Sequence, residues 1–215
     1  MKKLTNYQRA TQYLVKVFRL INQEYFNNEL EEPTITIQST VGAYGHITTN
    51  KVWSNEEVKS YELNVSADYL SRPIENIVAT LIHEACHLYA MQNDIKDTSN
   101  NGVYHNKRFK ELAEQRGLHI ERHEKYGWTI TEPTEETIDF CISYGLEDIE
   151  ISRQSDIRWT ISGGKSGNGN GVPTKPKKPS STRKYICPCC GNSFRATKDI
   201  RVLCMDCNKE FVKVE

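Results

Sequence analysis

Residues 81–89 read LIHEACHLY and contain the pattern H-E-x-x-H. Side chains four positions apart lie on one face of an α-helix, so His83 and His87 can present imidazole nitrogens to one metal ion. Glu84 lies roughly a quarter turn from His83, where its carboxylate can contact a metal-bound water. A hydrolytic zinc lowers the pKa of such a water, and a carboxylate accepts its proton. The motif therefore predicts a catalytic metal site with Glu84 as the general base.

The residues around this motif predict an amphipathic helix from about residue 73 to 92. Ser71 is a candidate N-cap, and Pro73 fits the first turn of the helix. The apolar positions recur at helical spacing and form a broad stripe: Ile74, Ile77, Val78, Leu81, Ile82, Ala85 and Leu88. The metal motif is thus expected in the middle of a helix that packs against a core.

Hydrophobic periodicity predicts further helices and strands on both sides of this helix. Helices are predicted over residues 5–26 and about 105–116, the second ending at Gly117. Strands are predicted at 34–38, at 61–66 and after a glycine-containing turn at 41–48, with later ones at 149–151 and 157–161.

A catalytic zinc needs a third protein ligand. Ala90 and Asn93 occupy the positions where the metzincin pattern would have glycine and histidine, so that class is excluded. Spacing alone leaves His105, Glu111 and Glu114 open, all of them on the next predicted helix. The remaining histidines are interpreted as a loop residue and two surface residues: His46, His119 and His123.

Five of the seven cysteines lie in the last 29 residues, which suits metal binding in a reducing compartment better than a disulfide framework. The pairs Cys187-x-x-Cys190 and Cys204-x-x-Cys207 have the spacing of a zinc ribbon closed by four thiolates. Cys189 fits such a ligand set poorly because it adjoins Cys190. We expect a structural zinc that folds this segment and performs no chemistry.

The charge is unevenly distributed along the chain. Residues 1–162 contain 17 Lys and Arg against 24 Asp and Glu, whereas residues 163–215 contain 11 against 4. A basic linker and ribbon favour a polyanion such as DNA as the partner; the alternatives are a solubilising linker or a ribbon that docks onto protein. The residues expected to contact phosphate and to stack on bases lie between the knuckles and just before the first knuckle: Phe194, Arg195, Lys198 and Arg201, with Lys177, Lys178, Arg183, Lys184 and Tyr185.

No segment has the 18 consecutive apolar residues of a membrane span, and the N-terminus lacks the apolar region of a signal peptide. We therefore expect a soluble, intracellular protein without a membrane partner. It would be cytoplasmic and nucleoid-associated in a bacterium or phage, and nuclear in a eukaryote.

Four segments, in order, resemble the SprT-like metalloprotease family, whose eukaryotic relatives include Spartan. They are YFNNEL at 25–30, GAYG at 42–45, HEACH at 83–87 and YHNKRFKELA at 104–113, within a match over about residues 6–118. The resemblance implies that His105 completes the zinc ligands with His83 and His87. Tyr104 and Asn106 flank His105 where the family usually has glycine.

The same resemblance implies an α+β fold, namely a zincin-like domain with helices packed on a small mixed sheet, followed by a zinc ribbon. We expect the protease domain at 1–162, a flexible basic linker at 163–184 and the ribbon at 185–215, with one catalytic and one structural Zn²⁺. The implied function is a zinc-dependent endopeptidase acting on DNA-bound or DNA-crosslinked proteins. The alternative is a non-proteolytic DNA-binding or transcription-associated zinc-ribbon protein with the same fold.

Overall fold

The computed structural model describes residues 4–55, 57–153 and 183–214. The strand predicted at 157–161 and nearly all of the predicted linker lie outside these ranges. The domain boundary at residue 162 therefore stays a prediction.

The larger part of the fold contains four α-helices and nine short strands. The helices are α1 (Tyr7–Phe26), α2 (Ile74–Gln92), α3 (Lys107–Glu114) and α4 (Glu135–Ser143). The strands are β1 (Thr34–Gln38), β2 (Gly45–Ile47), β3 (Trp53–Ser54), β4 (Lys59–Ser60), β5 (Glu62–Ser66), β6 (Thr98–Ser99), β7 (Tyr104–His105), β8 (Leu118–His123) and β9 (Gly127–Pro133). This is the predicted α+β class.

Helix α1 ends at the predicted residue and begins two residues later than predicted. The Asn6 side chain accepts hydrogen bonds from the backbone N–H groups of Gln8 and Arg9, which caps the first turn. Asn27 and Asn28 both have positive φ, 52° and 61°, and Asn tolerates this left-handed conformation better than most residues. The helix therefore stops abruptly and the chain turns towards the first sheet.

The first sheet is small and mixed, as predicted, with strand order β1-β5-β2. Strand β1 runs parallel to β5, and β2 runs antiparallel to it. Strand β2 is at the edge of this sheet and packs along α2. The second sheet has the order β6-β7-β9-β8, and its β8–β9 hairpin also packs against α2.

Helix α2 is the centre of the hydrophobic core. It contributes 13 buried residues, and α1, α3, α4 and both sheets pack against it. Because α2 carries His83, Glu84 and His87, the core holds these side chains on a rigid support.

The start of α2 differs from the prediction. Pro73 is the N-cap and has no side-chain acceptor, and Ser71 makes no cap hydrogen bond. Asp148, distant in sequence, instead accepts the Ile74 N–H at 2.8 Å through Oδ1. The first free amide of the helix is therefore satisfied by a tertiary contact, which no local pattern encodes.

Residues 118–153 also depart from the predictions. The strand predicted at 149–151 is one isolated bridge between Leu4 and Ile149, while β8 and α4 were not predicted. Among the helices in the described ranges, none is long and apolar enough to cross a membrane.

The cysteine-rich part forms a compact β-structure of five short strands. These are β10 (Arg183–Ile186), β11 (Ser193–Ala196), β12 (Leu203–Cys204), β13 (Lys209–Glu210) and β14 (Val212–Val214). Strands β10 and β11 pair around the first knuckle, and β12 and β13 pair around the second. Phe194 stacks on Tyr185 with ring centroids 5.1 Å apart and also contacts Phe211, so these rings form a miniature core.

Candidate metal centre

The structure brings three histidines together at one point. His83 and His87 lie one turn apart on α2, and His105 approaches from β7. The prediction placed His105 at the start of a helix, but the structure does not. Asn106 caps α3 by accepting the Arg108 and Phe109 N–H groups, so His105 lies before the helix. The third histidine is thus presented by a strand, two residues before the helix begins.

The spacing of the ring nitrogens fits a shared metal ion. The Nε2 atoms of His87 and His105 are 3.0 Å apart, and each lies 3.3 Å from His83 Nε2. Three nitrogens that bind one tetrahedral zinc at about 2.0–2.1 Å are separated by about 3.3 Å. The three rings therefore enclose a position of the right size for zinc.

The outer nitrogens show which ring atoms carry protons. Thr131 Oγ1 lies 2.8 Å from His83 Nδ1 and donates its own proton to the Thr129 carbonyl, so it accepts from His83. Asp97 Oδ2 lies 2.5 Å from His87 Nδ1 and, as a carboxylate, also accepts. Both rings therefore carry a proton on Nδ1 and a lone pair on Nε2. Lone pairs that converge within 3.3 Å repel each other unless a cation lies between them, which supports a metal site.

The third ring is held differently. The Tyr126 carbonyl accepts the backbone N–H of His105 at 3.0 Å, but His105 Nδ1 is buried and has no hydrogen-bond partner among the described residues. Phe109 packs against all three imidazoles, with ring centroids 4.5 Å from His83 and His87 and 4.8 Å from His105. Position and packing, rather than an outer hydrogen bond, orient His105.

Burial keeps His83 and His105 in the neutral form that binds metals. Desolvation, followed by the nearby histidines, lowers the pKa of His83 well below its usual value. The same causes lower the pKa of His105 to about 4. Neutral imidazoles at physiological pH are the form that ligates a metal ion.

Glu84 lies against the edge strand of the first sheet. It is 6% exposed, and burial raises its pKa to about 7. A Cβ on Gly45 would lie 3.5 Å from Glu84 Oε1 and 2.9 Å from both the Asn64 carbonyl and the Thr80 methyl group. Glycine therefore lets β2 approach the helix at the position of the carboxylate.

The other candidates for the third ligand lie elsewhere. Glu111 and Glu114 are exposed on α3, and neither belongs to the metal-binding group found among the described residues. His119 and His123 are exposed on β8, as predicted. His46 is also exposed, but it lies on β2 rather than in a loop.

The structure adds three residues to the site that sequence reasoning missed. Asp97, Thr131 and Phe109 contact the rings of the ligands. The signal for Phe109 was its place in the 104–113 segment, four positions after His105. Asp97 and Thr131 gave no sequence signal, because their contacts depend on how the chain returns to α2.

The second group consists of Cys187, Cys190, Cys204 and Cys207, whose sulfurs lie within 4.8 Å of one another. Cys189 is exposed and outside the group. Backbone N–H groups of the first knuckle, chiefly that of Cys190, lower the pKa of Cys187 to about 7 and so favour the thiolate. Four thiolates suit a closed structural metal site.

Several ribbon cations expected to contact phosphate already have acidic partners. Arg195 is 14% exposed and donates to Asp148 Oδ2 at 2.6 Å, which joins the ribbon to the start of α2. Arg201 pairs with Glu210. In the part of the chain that the structure describes, Lys184, Lys198 and Lys209 have no carboxylate partner; Arg183 and Lys213 share Asp199.

Comparison with known proteins gave one finding. The model of the SprT-like family matches residues 14–126, a segment that runs from α1 to the turn before β9 and includes all three histidines. The comparisons with curated proteins and with solved structures gave no match.

Proposed function

The chain belongs to the SprT-like family, a group with a metalloprotease-type domain, and from this premise we propose that it is a zinc-dependent endopeptidase acting on DNA-associated or DNA-crosslinked proteins. The observation that carries the proposal is the convergence of three imidazole nitrogens within 3.3 Å beside the buried Glu84.

His83, His87 and His105 would hold the zinc. When bound, zinc polarises the scissile carbonyl and lowers the pKa of the attacking water. Glu84 accepts the proton of that water on its carboxylate and later delivers it to the leaving amine. Burial raises the pKa of Glu84 towards neutrality, which suits both roles, since a group that gives and takes a proton works best near the ambient pH.

The edge strand β2 supports a peptide as the substrate. It has one neighbour in its sheet, β5, and lies beside Glu84. An extended peptide can pair with such an edge through main-chain hydrogen bonds, largely independent of its sequence. This recognition suits an enzyme that cuts many different proteins.

Recruitment to DNA rests on charge. Residues 183–214 contain seven Lys and Arg against three Asp and Glu, and a Zn(Cys)₄ centre would remove about two positive charges. The predicted linker adds Lys177, Lys178 and their neighbours. Such a tail binds the phosphate backbone without sequence preference, and its affinity falls steeply as the salt concentration rises.

The test is cleavage of a DNA-bound protein with single-stranded DNA, double-stranded DNA or none. Glu84→Gln should abolish cleavage, while Glu111→Gln, which removes an exposed carboxylate from α3, should cleave normally. Equal activity of the Glu84 variant and wild type would refute the protease assignment and favour the non-proteolytic alternative.

The DNA component is tested separately. A chain truncated before residue 163 should bind DNA more weakly and with a smaller salt dependence. Unchanged affinity and salt dependence after truncation would refute recruitment through the tail, whatever the outcome for Glu84.

A further inference from the structure

Asp97 is a buried carboxylate in the loop between α2 and β7. It is 7% exposed and directly precedes β6. The chain reverses just before it, where Ile95 N–H donates to the Ala90 carbonyl at the end of the helix. Burying a charged carboxylate is costly, so this one needs a compensating partner.

The partner of its side chain is one metal ligand. Asp97 Oδ2 accepts the Nδ1 proton of His87 at 2.5 Å, a charge-assisted hydrogen bond. This bond fixes the tautomer that leaves Nε2 free. A carboxylate in this position also strengthens the ring as a metal ligand.

The main chain of the same residue contacts the segment that carries the third ligand. The Asp97 carbonyl accepts Asn106 N–H at 3.0 Å, and the Asn106 side chain donates to the neighbouring Lys96 carbonyl at 2.7 Å. Thr98, the next residue, pairs with His105 across β6 and β7. The Asp97 side chain thus contacts the ligand His87 on α2. Its main chain contacts Asn106, the residue after the ligand His105.

The outer hydrogen bond of His83 is weaker than that of His87. Its outer nitrogen donates to the neutral hydroxyl of Thr131. A hydrogen bond to a carboxylate is roughly twice as strong as one between neutral groups. The three ligands are therefore unequally supported, and the strongest support is the one that links α2 to the His105 strand.

We infer that Asp97 is a positioning residue for the metal centre: its side chain orients His87 while its main chain joins the His105 strand to α2. The inference deepens the proposed function and rests on metal binding by the three histidines. It does not require that the protein cleave DNA-bound substrates.

The test is metal binding by the full chain with Asp97→Ala and Asp97→Asn, and Asp94→Asn as the matched control. Asp94 lies three residues upstream, is exposed and makes no ion pair in the described ranges, so its substitution removes the same charge without touching a ligand. Cobalt(II) titration of the metal-free protein separates the two sites, because four thiolates give an intense charge-transfer absorption that imidazoles lack.

Asp97→Ala should weaken binding at the histidine site about 10- to 100-fold, with the thiolate site unchanged. Asp97→Asn keeps an acceptor oxygen and should lose less, and Asp94→Asn should match wild type. The rise in melting temperature on adding zinc should shrink in the same order, while the metal-free proteins melt alike.

Two results would overturn the inference. One is an Asp97→Ala protein that binds cobalt at the histidine site as tightly as Asp94→Asn. The other is lower stability of the metal-free Asp97→Asn protein with unchanged metal affinity, which would make Asp97 a purely structural residue. If wild type bound metal at the histidines without cleaving protein, the proposed function would fail and this inference would stand.

Discussion

Asp148 connects the ribbon to the helix that carries the metal ligands. The contacts of its two carboxylate oxygens can be tested separately by substitution. Oδ1 accepts the Ile74 N–H at the start of α2, and Oδ2 accepts from Arg195 in the ribbon. Asparagine caps a helix as well as aspartate does but carries no charge. Asp148→Asn should therefore lose only the ion pair, whereas Asp148→Ala should lose the ion pair and the cap.

The magnitudes follow from burial and geometry. Losing a cap costs about 1 kcal/mol. The ion pair is worth about 0.5–1 kcal/mol, because the Asp148 side chain is 44% exposed and solvent screens it. In a chain of this size, 1 kcal/mol shifts the melting temperature by about 2–4 °C. We expect a drop of about 1–4 °C for Asp148→Asn and about 3–8 °C for Asp148→Ala.

Thermal unfolding of the metal-loaded protein, followed by circular dichroism, measures these shifts. Arg195 has a further contact besides Asp148, so Arg195→Gln should lower the melting temperature at least as much as Asp148→Asn, and the double variant should melt no lower than Arg195→Gln alone. The control is Asp139→Asn, an exposed carboxylate on α4. Equal melting temperatures for the Ala and Asn variants would refute the tertiary cap, and strictly additive effects would refute the ion pair.

Two further substitutions test the metal sites. Gly127→Ala should cost at least about 1 kcal/mol of stability and weaken metal binding at the histidines, because φ is +74° and the new Cβ would lie 2.2 Å from the His105 carbonyl. Gly145→Ala has a similar φ of +58° but open space around it, so a titration should show unchanged metal affinity; equal losses in both variants would contradict the steric argument. Cys204→Ser should lower the metal content by one ion per chain and unfold the ribbon, as measured by elemental analysis and limited proteolysis. Cys189→Ser, outside the ligand group, should keep both ions, and loss of an ion there would contradict the assigned ligands.

The elements that the sequence predicts well are those with a regular pattern of apolar residues along their own length. Helix α1 was expected over 5–26 and occupies Tyr7–Phe26, and α2 was expected from about 73 to 92 and occupies Ile74–Gln92. Both have apolar residues at every helical repeat, so one face must be buried wherever the helix packs. The alternation at 34–38 predicted β1 for the same reason.

The elements that the sequence misses depend on distant contacts. In β8, only Leu118 and Ile120 are buried, which is too short an alternation to distinguish a strand from a loop. Ser71 is the local candidate for the helix cap, but the Ile74 N–H donates instead to Asp148, which lies 74 positions further along the chain. Such contacts form only after the chain has folded, so a local pattern cannot reveal them.

The metal centre shows the same division within a single site. The helix spacing of His83 and His87 is local, and H-E-x-x-H predicts it directly. His105 reaches the site only because β7 pairs with β6 on one side and with Gly127 on the other. Spacing therefore left three candidates for the third ligand, and the family pattern was needed to choose among them. Gly127, which leaves room for the His105 strand, and Asp97, whose side chain orients His87, lie outside the ligand group, so substitutions at either should weaken the centre even though all three ligands are intact.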